Sequence, residues 1–303
     1  MKRKDILAIK DLSKAELNEI LTEAAYMREH IDRRDRLTAL TGKNVATLFY
    51  ENSTRTRNSF EIAAKRLGAG TTSISVATSS VQKGESLIDT GKTLDALGVD
   101  VIIIRHSVGG APRLLAENVA ASVINAGDGL DEHPSQALLD VFTAKRHFDS
   151  LDGLKVVIVG DIKHSRVARS DVLAFTKLGA SVTLCAPYTL LPTAIESMGA
   201  TVEPDLDKAI DGANIVMPLR VQKERMTQAY FSTVAEYNEF YGVTEKRMEQ
   251  TAVDSIVMHP APINRGAEID GDLADGIKSV IEEQVTNGVA VRMAMLKLLT
   301  ERS

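Results

Sequence analysis

At 303 residues the chain has room for two domains of ordinary size, and 44% apolar with 25% charged residues is a globular composition. The formal charge of −5 argues against a general nucleic-acid binder. No apolar run approaches the ~18 residues that suggest a membrane span. The basic start, Met1-Lys2-Arg3-Lys4, precedes an apolar stretch broken by Asp5, Lys10 and Asp11, so no signal-peptide core is read there. The one cysteine, Cys185, sits in an apolar run and reads as an inert core thiol; it permits no internal disulfide and no Cys-based metal site. The expected location is the cytoplasm.

Apolar, β-branched runs recur at residues 45–50, 71–76, 99–104, 122–125, 155–159, 181–185, 214–219 and 255–258. Amphipathic helical patterns lie between most of them, as at 13–30, 86–97 and 171–178. Such alternation predicts an α/β protein of two domains, each a parallel β-sheet covered by helices on both faces, with the active site in the cleft between them. Residues 149–153 read as the boundary, with a joining helix over 134–148 before it. The domains are then 1–148 and 149–283, and a C-terminal helix over 284–303 is expected to pack back on the first. Residues 224–250 are polar and mixed in charge and hold Gly242, and they read as a mobile segment beside the site.

Ligands of open α/β sheets bind beyond the carboxyl ends of the strands, and chemistry-bearing clusters stand there repeatedly. Ser53-Thr54-Arg55-Thr56-Arg57 follows the first run and opens a helix, with Ser53 suited to the N-cap. Helix N-termini bind anions, so this segment reads either as a phosphate site or as a capped surface helix with solvated arginines. Arg105-His106 ends the third run. Gly160-Asp161, then Arg166, follow the fifth. Arg220-Val221-Gln222 and His259-Pro260-Ala261-Pro262 follow the last two. The glycine-rich stretch 125–131 reads as a loop leading to His133-Pro134-Ser135-Gln136, where Pro134 suits the first helical position. A histidine there tends to stay neutral, able to donate one hydrogen bond to a carbonyl oxygen. With prolines on both sides of Ala261, the Ala261–Pro262 bond is expected to be cis.

No His-Glu-x-x-His spacing appears, and nothing arranges Asp161, His164 and Ser165 as a triad. The 156–161 stretch lacks the later glycines of a dinucleotide fingerprint. What remains is electrostatic and positional catalysis on a phosphorylated substrate, with no cofactor and no metal.

In order along the chain, Ser53-Thr54-Arg55-Thr56-Arg57, Lys83-Gly84-Glu85-Ser86, Arg105-His106, Asn125-Ala126-Gly127-Asp128-Gly129, His133-Pro134-Ser135-Gln136, Gly160-Asp161 with Arg166, Arg220-Val221-Gln222 and His259-Pro260-Ala261-Pro262 resemble the aspartate carbamoyltransferases, within the aspartate/ornithine carbamoyltransferase superfamily. The resemblance implies carbamoyl transfer from carbamoyl phosphate to the amine of L-aspartate. The first domain would bind carbamoyl phosphate and the second aspartate. Ser53, Thr54, Arg55 and Thr56 would hold the phosphate; Thr56, Arg105 and His133 would face the carbonyl oxygen; Gln136 would bind the carbamoyl amide. Arg166 would take the α-carboxylate of aspartate, and Arg220 and Gln222 its side-chain carboxylate. Backbone carbonyls of Ala261 and Pro262 would accept from the carbamoyl or attacking amine. Ser79 and Lys83 would come from the adjacent subunit of a homotrimer, Lys83 toward aspartate. Whether a regulatory or pathway-enzyme chain binds is left open by one sequence.

An ornithine carbamoyltransferase is the nearest alternative, but it would carry a cysteine where Ala261 stands and an acidic motif near Arg220. Aspartate's two carboxylates match the two arginines of the second half instead. A non-catalytic anion-binding module on the same fold is the alternative of another class.

Overall fold

The computed structural model describes residues 1–75, 84–221 and 233–301 of the chain. By internal contacts they form two units, residues 1–142 with 286–303, and residues 143–285. The first unit holds α1 (Lys14–Asp32), β1 (Asn44–Phe49), α2 (Thr54–Arg66), β2 (Gly70–Ser75), α3 (Leu87–Ala96), β3 (Val101–His106), α4 (Ala111–Ala116) and β4 (Ser122–Asp128). Helix α5 (Pro134–His147) leads into the second unit, with β5 (Lys155–Val159), α6 (Arg166–Lys177), β6 (Ser181–Cys185), β7 (Thr201–Val202), α7 (Leu206–Ile210), β8 (Ile215–Pro218), α8 (Val234–Tyr241), α9 (Glu245–Met248), β9 (Ile256–Val257) and α10 (Gly271–Ala274). Helix α11 (Ile281–Thr300) returns the chain to the first unit. By contacts the division falls inside two continuous helices, α5 and α11, a few residues from the positions read from the sequence.

The first sheet has order β2-β1-β3-β4 and is parallel throughout, with Val45 opposite Thr71 on one side and Val101 on the other. Parallel strands buried on both faces read as continuous apolar runs, as Val101 to Ile104 do. Ala46, Leu48, Ile102, Ile104 and Val123 form one core with Leu94 of α3 and Leu115 of α4. Helix α2 buries Phe60, Ala63 and Ala64. Three polar links tie α11 to α1 and α2: Arg28 donates to Asn287 at 2.7 Å, Lys297 to Glu23 at 2.8 Å and Arg292 to Ser59 at 3.0 Å.

The second sheet, order β7-β6-β5-β8-β9, is also parallel. Val157, Val159, Val216 and Val257 pack with residues of α7, α9 and α10 into a second core. Cys185 is buried there, and burial pushes its thiol up to about 12, which keeps it protonated and inert.

Three local readings are corrected, and one strand, β7, is not read from the sequence. Strand β4 runs on through Ala126, Gly127 and Asp128, all buried, where the glycines suggested a loop. Side-chain bonds explain this: Asn125 Oδ1 accepts from the Gly127 N–H at 2.8 Å, and Asp128 Oδ1 accepts from Asn125 Nδ2 at 2.8 Å. Helix α6 starts at Arg166 rather than 171, because Ser165 Oγ caps the Ala168 N–H at 3.1 Å. The two-residue β7 is too short to carry a pattern. Within 224–250, residues 233–250 are ordered as α8 and α9, each capped by a threonine, Thr233 and Thr244. The Ala261–Pro262 bond is cis.

Candidate active site

Each sheet has one switch point, where the chain leaves a central strand first to one side and later to the other. In the first sheet it lies between β1 and β3; in the second, between β5 and β8. Ligands of such sheets bind at the carboxyl ends of the strands flanking that point. The segments that follow those ends carry most of the predicted residues.

In the first unit, β1 ends at Phe49 and α2 begins at Thr54. Ser53 occupies the N-cap position with its side chain making no capping bond, so the capping role read from the sequence is not taken up. A helix's first turn leaves N–H groups without acceptors inside the helix. Thr54 and Arg55 are exposed there and Thr56 is buried. Arg57 does not add its charge to this turn in the same way: its guanidinium lies over the Phe49 ring, 5.7 Å from the centroid. That contact was not legible from spacing alone.

Arg105 sits near the end of β3. Its Nη1 donates to the Ala126 carbonyl at 3.2 Å, and its Nε lies 3.3 Å from Glu51 Oε2. Glu51 was not singled out from the sequence, although a carboxylate two residues before an arginine-rich turn is a visible signal. His106, next along, meets Tyr50 in a tilted ring contact with centroids 4.5 Å apart and accepts the Val108 N–H at Nδ1. Burial lowers its pKa, so the neutral ring is favoured.

His133 directly precedes α5 and is buried, with Nδ1 3.4 Å from Ser135 Oγ. Its approach is fixed by Glu132, whose Oε2 accepts the Ile9 N–H at 2.6 Å, and by Asp128, which accepts the Gly110 N–H at 2.7 Å. Gly129 is required here: φ is +46°, and a Cβ would lie 2.7 Å from the Gly109 nitrogen. Gln136, one turn into α5, is half-buried, and its Nε2 donates to both carboxylate oxygens of Asp140 at 3.1 Å.

In the second unit, Gly160 follows β5 with φ +119°; a Cβ would lie 2.6 Å from the Tyr237 hydroxyl and 3.2 Å from the Leu219 carbonyl. Asp161 Oδ1 accepts from the His164 N–H at 3.2 Å and meets His164 Nδ1 at 2.8 Å, which shapes the turn into α6. Arg166 is the first residue of α6 and is buried. Arg220 stands just beyond β8, half-buried, and the Val221 carbonyl accepts from Asn264 Nδ2 at 3.4 Å. Ala261 has φ +52° and is half-buried; Pro262 is exposed. Ser79, Lys83 and Gln222 lie outside the described residues.

The arrangement offers a helix start, three hydroxyls and Arg55 for a phosphate in one unit, and two guanidiniums for carboxylates in the other. Among the described residues, no group of three or more His, Cys, Asp or Glu is placed to hold a metal, and no helix is long and apolar enough to cross a membrane.

Comparison with known proteins gives the same picture in both halves. Residues 4–146 match the family model described as aspartate/ornithine carbamoyltransferase, carbamoyl-P binding domain, and residues 152–299 match its Asp/Orn binding domain. The aspartate carbamoyltransferase catalytic subunit of Ruminiclostridium cellulolyticum is 53% identical over 303 residues, covering 100% of this chain and 97% of its own. That of Desulforamulus reducens is 54% identical over 299 residues, 98% of this chain and 96% of its own. The crystal structure of Trypanosoma cruzi aspartate transcarbamoylase with N-(phosphonacetyl)-L-aspartic acid superposes with a TM-score of 0.88 at 30% identity, over 98% of this chain and 95% of that one. The ornithine carbamoyltransferase of Thermus thermophilus reaches the same TM-score, 0.88, at 25% identity, over 99% of this chain and 100% of that one.

Proposed function

We propose that this chain, which belongs to the aspartate/ornithine carbamoyltransferase family, transfers the carbamoyl group of carbamoyl phosphate to the amine of L-aspartate. The products are N-carbamoyl-L-aspartate and phosphate, the committed step of pyrimidine synthesis. The observation that carries the choice of amino acid is the pair Arg166 and Arg220 beyond the two strands flanking the second sheet's switch point. Two cations suit a dicarboxylate; ornithine, with a cationic side chain, would meet repulsion there.

Ser53, Thr54, Arg55 and Thr56 hold the phosphate by hydroxyl, guanidinium and first-turn N–H donors. Thr56, Arg105 and His133 donate to the carbonyl oxygen, where negative charge grows as the amine attacks. Gln136 takes the carbamoyl amide. Arg166 binds the α-carboxylate of aspartate, and Arg220 with Gln222 binds the side-chain carboxylate. Carbonyls of Ala261 and Pro262 accept from the substrate nitrogens. The amine adds to the carbonyl carbon, the C–O bond to phosphate breaks, and the departing phosphate takes up the amine's proton. No cofactor enters this reading.

The catalytic unit is a cytoplasmic homotrimer in which Ser79 and Lys83 of one subunit complete the neighbour's site. Mixing inactive Lys83→Ala chains with inactive Arg55→Ala chains then restores activity, because some mixed sites hold both intact residues; verified exchange without recovery removes the sharing. For the reaction itself, colorimetric detection of ureido product with aspartate, then with ornithine, is the test. Product with aspartate alone supports the reading. Product with ornithine alone overturns it, and none with either favours a non-catalytic module.

A further inference from the structure

Gln136 sits beside a buried carboxylate that the proposed chemistry does not use. Asp140, one turn on in α5, is fully buried, and both its oxygens accept from Gln136 Nε2 at 3.1 Å. Arg292 of α11 is buried as well; it donates to Ser59 Oγ at 3.0 Å and lies over the Phe60 ring at 5.1 Å. Ser59 and Phe60 belong to α2, the helix whose first turn carries the phosphate residues. Burial lowers the Arg292 pKa to about 10, with the Asp140 charge opposing that fall, so the guanidinium stays protonated at neutral pH. Space around it is tight: a Cβ on Gly288 would lie 2.5 Å from Arg292 Nη1.

An ionised carboxylate only accepts hydrogen bonds, and a primary amide has one accepting end and one donating end. Facing Asp140, the Gln136 amide must therefore turn its NH2 inward and present Oε1. We infer that Asp140 is a positioning residue that makes Gln136 a hydrogen-bond acceptor and so selects a carbamoyl group over other acyl phosphates. The carbamoyl NH2 has protons to give to Oε1. Acetyl phosphate, with a methyl group in that place, has none. The inference rests on the assignment of Gln136 to the carbamoyl amide, and the experiment separates the two.

Carbamoyl and acetyl phosphate are compared as donors to aspartate in wild type, Gln136→Ala, Asp140→Asn and the double variant. An asparagine can donate as well as accept, so it lets the Gln136 amide flip. The expected result is a loss of about tenfold in the carbamoyl-over-acetyl ratio of kcat/KM for Asp140→Asn, the worth of one good hydrogen bond. Inhibition by inorganic phosphate stays unchanged, and Asp140→Asn adds no further loss in the Gln136→Ala background. If Gln136→Ala keeps the wild-type ratio, the assignment of Gln136 falls and the inference with it. If Gln136→Ala loses selectivity and Asp140→Asn does not, the assignment stands and the inference alone falls. Equal weakening of inorganic phosphate binding by Asp140→Asn shows a structural role instead and also overturns it. Should Asp140→Asn fail to fold, the wild-type protein decides by NMR. Gln136 side-chain NH2 protons, assigned by their absence in Gln136→Ala, exchange slowly with water if Asp140 holds them; exchange at the free-glutamine rate overturns the inference.

Discussion

His259 Nδ1 accepts the backbone N–H of Ala261 at 2.8 Å, a bond across the turn that leads to Pro262. The lone pair at Nδ1 places the ring proton on Nε2, which faces Glu268 Oε1 at 3.3 Å. Glu268 Oε1 also accepts the Asn264 N–H at 2.6 Å, and the His259 N–H donates to Gln284 Oε1 at 2.9 Å. One imidazole and one carboxylate, both buried, thus bracket residues 259–264, the turn that bears the Ala261 and Pro262 carbonyls.

Replacing that imidazole separates its two ends. His259→Ala leaves the Ala261 N–H without this acceptor, at a cost of about 1–3 kcal/mol. His259→Asn keeps an acceptor near the Nδ1 position and recovers part of the loss. Denaturant unfolding of the three proteins is the measurement; equal destabilisation by Ala and Asn shows that the bond to Ala261 contributes nothing.

Arg55 is the exposed guanidinium in the first turn of α2. Arg55→Ala is expected to lower kcat by about 10²–10³-fold, as loss of a preorganised donor at developing charge does, at roughly 3–4 kcal/mol. The proposed homotrimer, followed by sedimentation, persists. Activity within about threefold of wild type removes Arg55 from the phosphate site.

The two halves of the reaction are separable by kinetics. Arg220→Ala raises the apparent KM for aspartate by about 10-fold or more, the loss of a charge-assisted bond to a carboxylate. The KM for carbamoyl phosphate changes little, since the residues proposed for its phosphate and carbonyl oxygen, with Gln136, lie in the other unit. Steady-state titration of each substrate against the other at saturation tests this. Equal effects on both substrates show that the halves are misassigned.

Acid stability carries a local signature at α1. Ser13 and Glu16 form a capping box, and the hydrogen bond from Arg3 holds the Glu16 carboxyl near about 2, with Ser13 adding to the fall. A carboxyl depressed on folding stabilises above its unfolded value and loses that contribution as pH falls through the folded one. The stability difference between wild type and Glu16→Gln is therefore present near neutral pH and vanishes from about pH 4.5 down to about pH 2. The group is only partly buried, so solvent screening keeps the difference modest. Ser13→Ala, which loses the cap itself, costs about 1 kcal/mol. Unfolding midpoints measured from pH 7 to pH 2 test both.

The sequence by itself determined the two parallel α/β sheets, because period and β-branched runs are local properties that survive without tertiary contacts. It also determined that arginines and hydroxyls stand after strand ends, since a site at a switch point uses the first residues beyond a strand. Tertiary structure decided the partners. Arg57 and Arg55 look alike in sequence, yet one lies over Phe49 and the other is exposed. The glycines of 125–129 suggested a loop; buried bonds from Asn125 and Asp128 hold an extended strand there. Glu51 beside Arg105 and Arg292 over Phe60 join positions distant along the chain, and such pairs leave no mark in periodicity. A buried polar group must find its complement wherever the fold brings one within ~3 Å, and that distance exists only after the sheets and helices have packed.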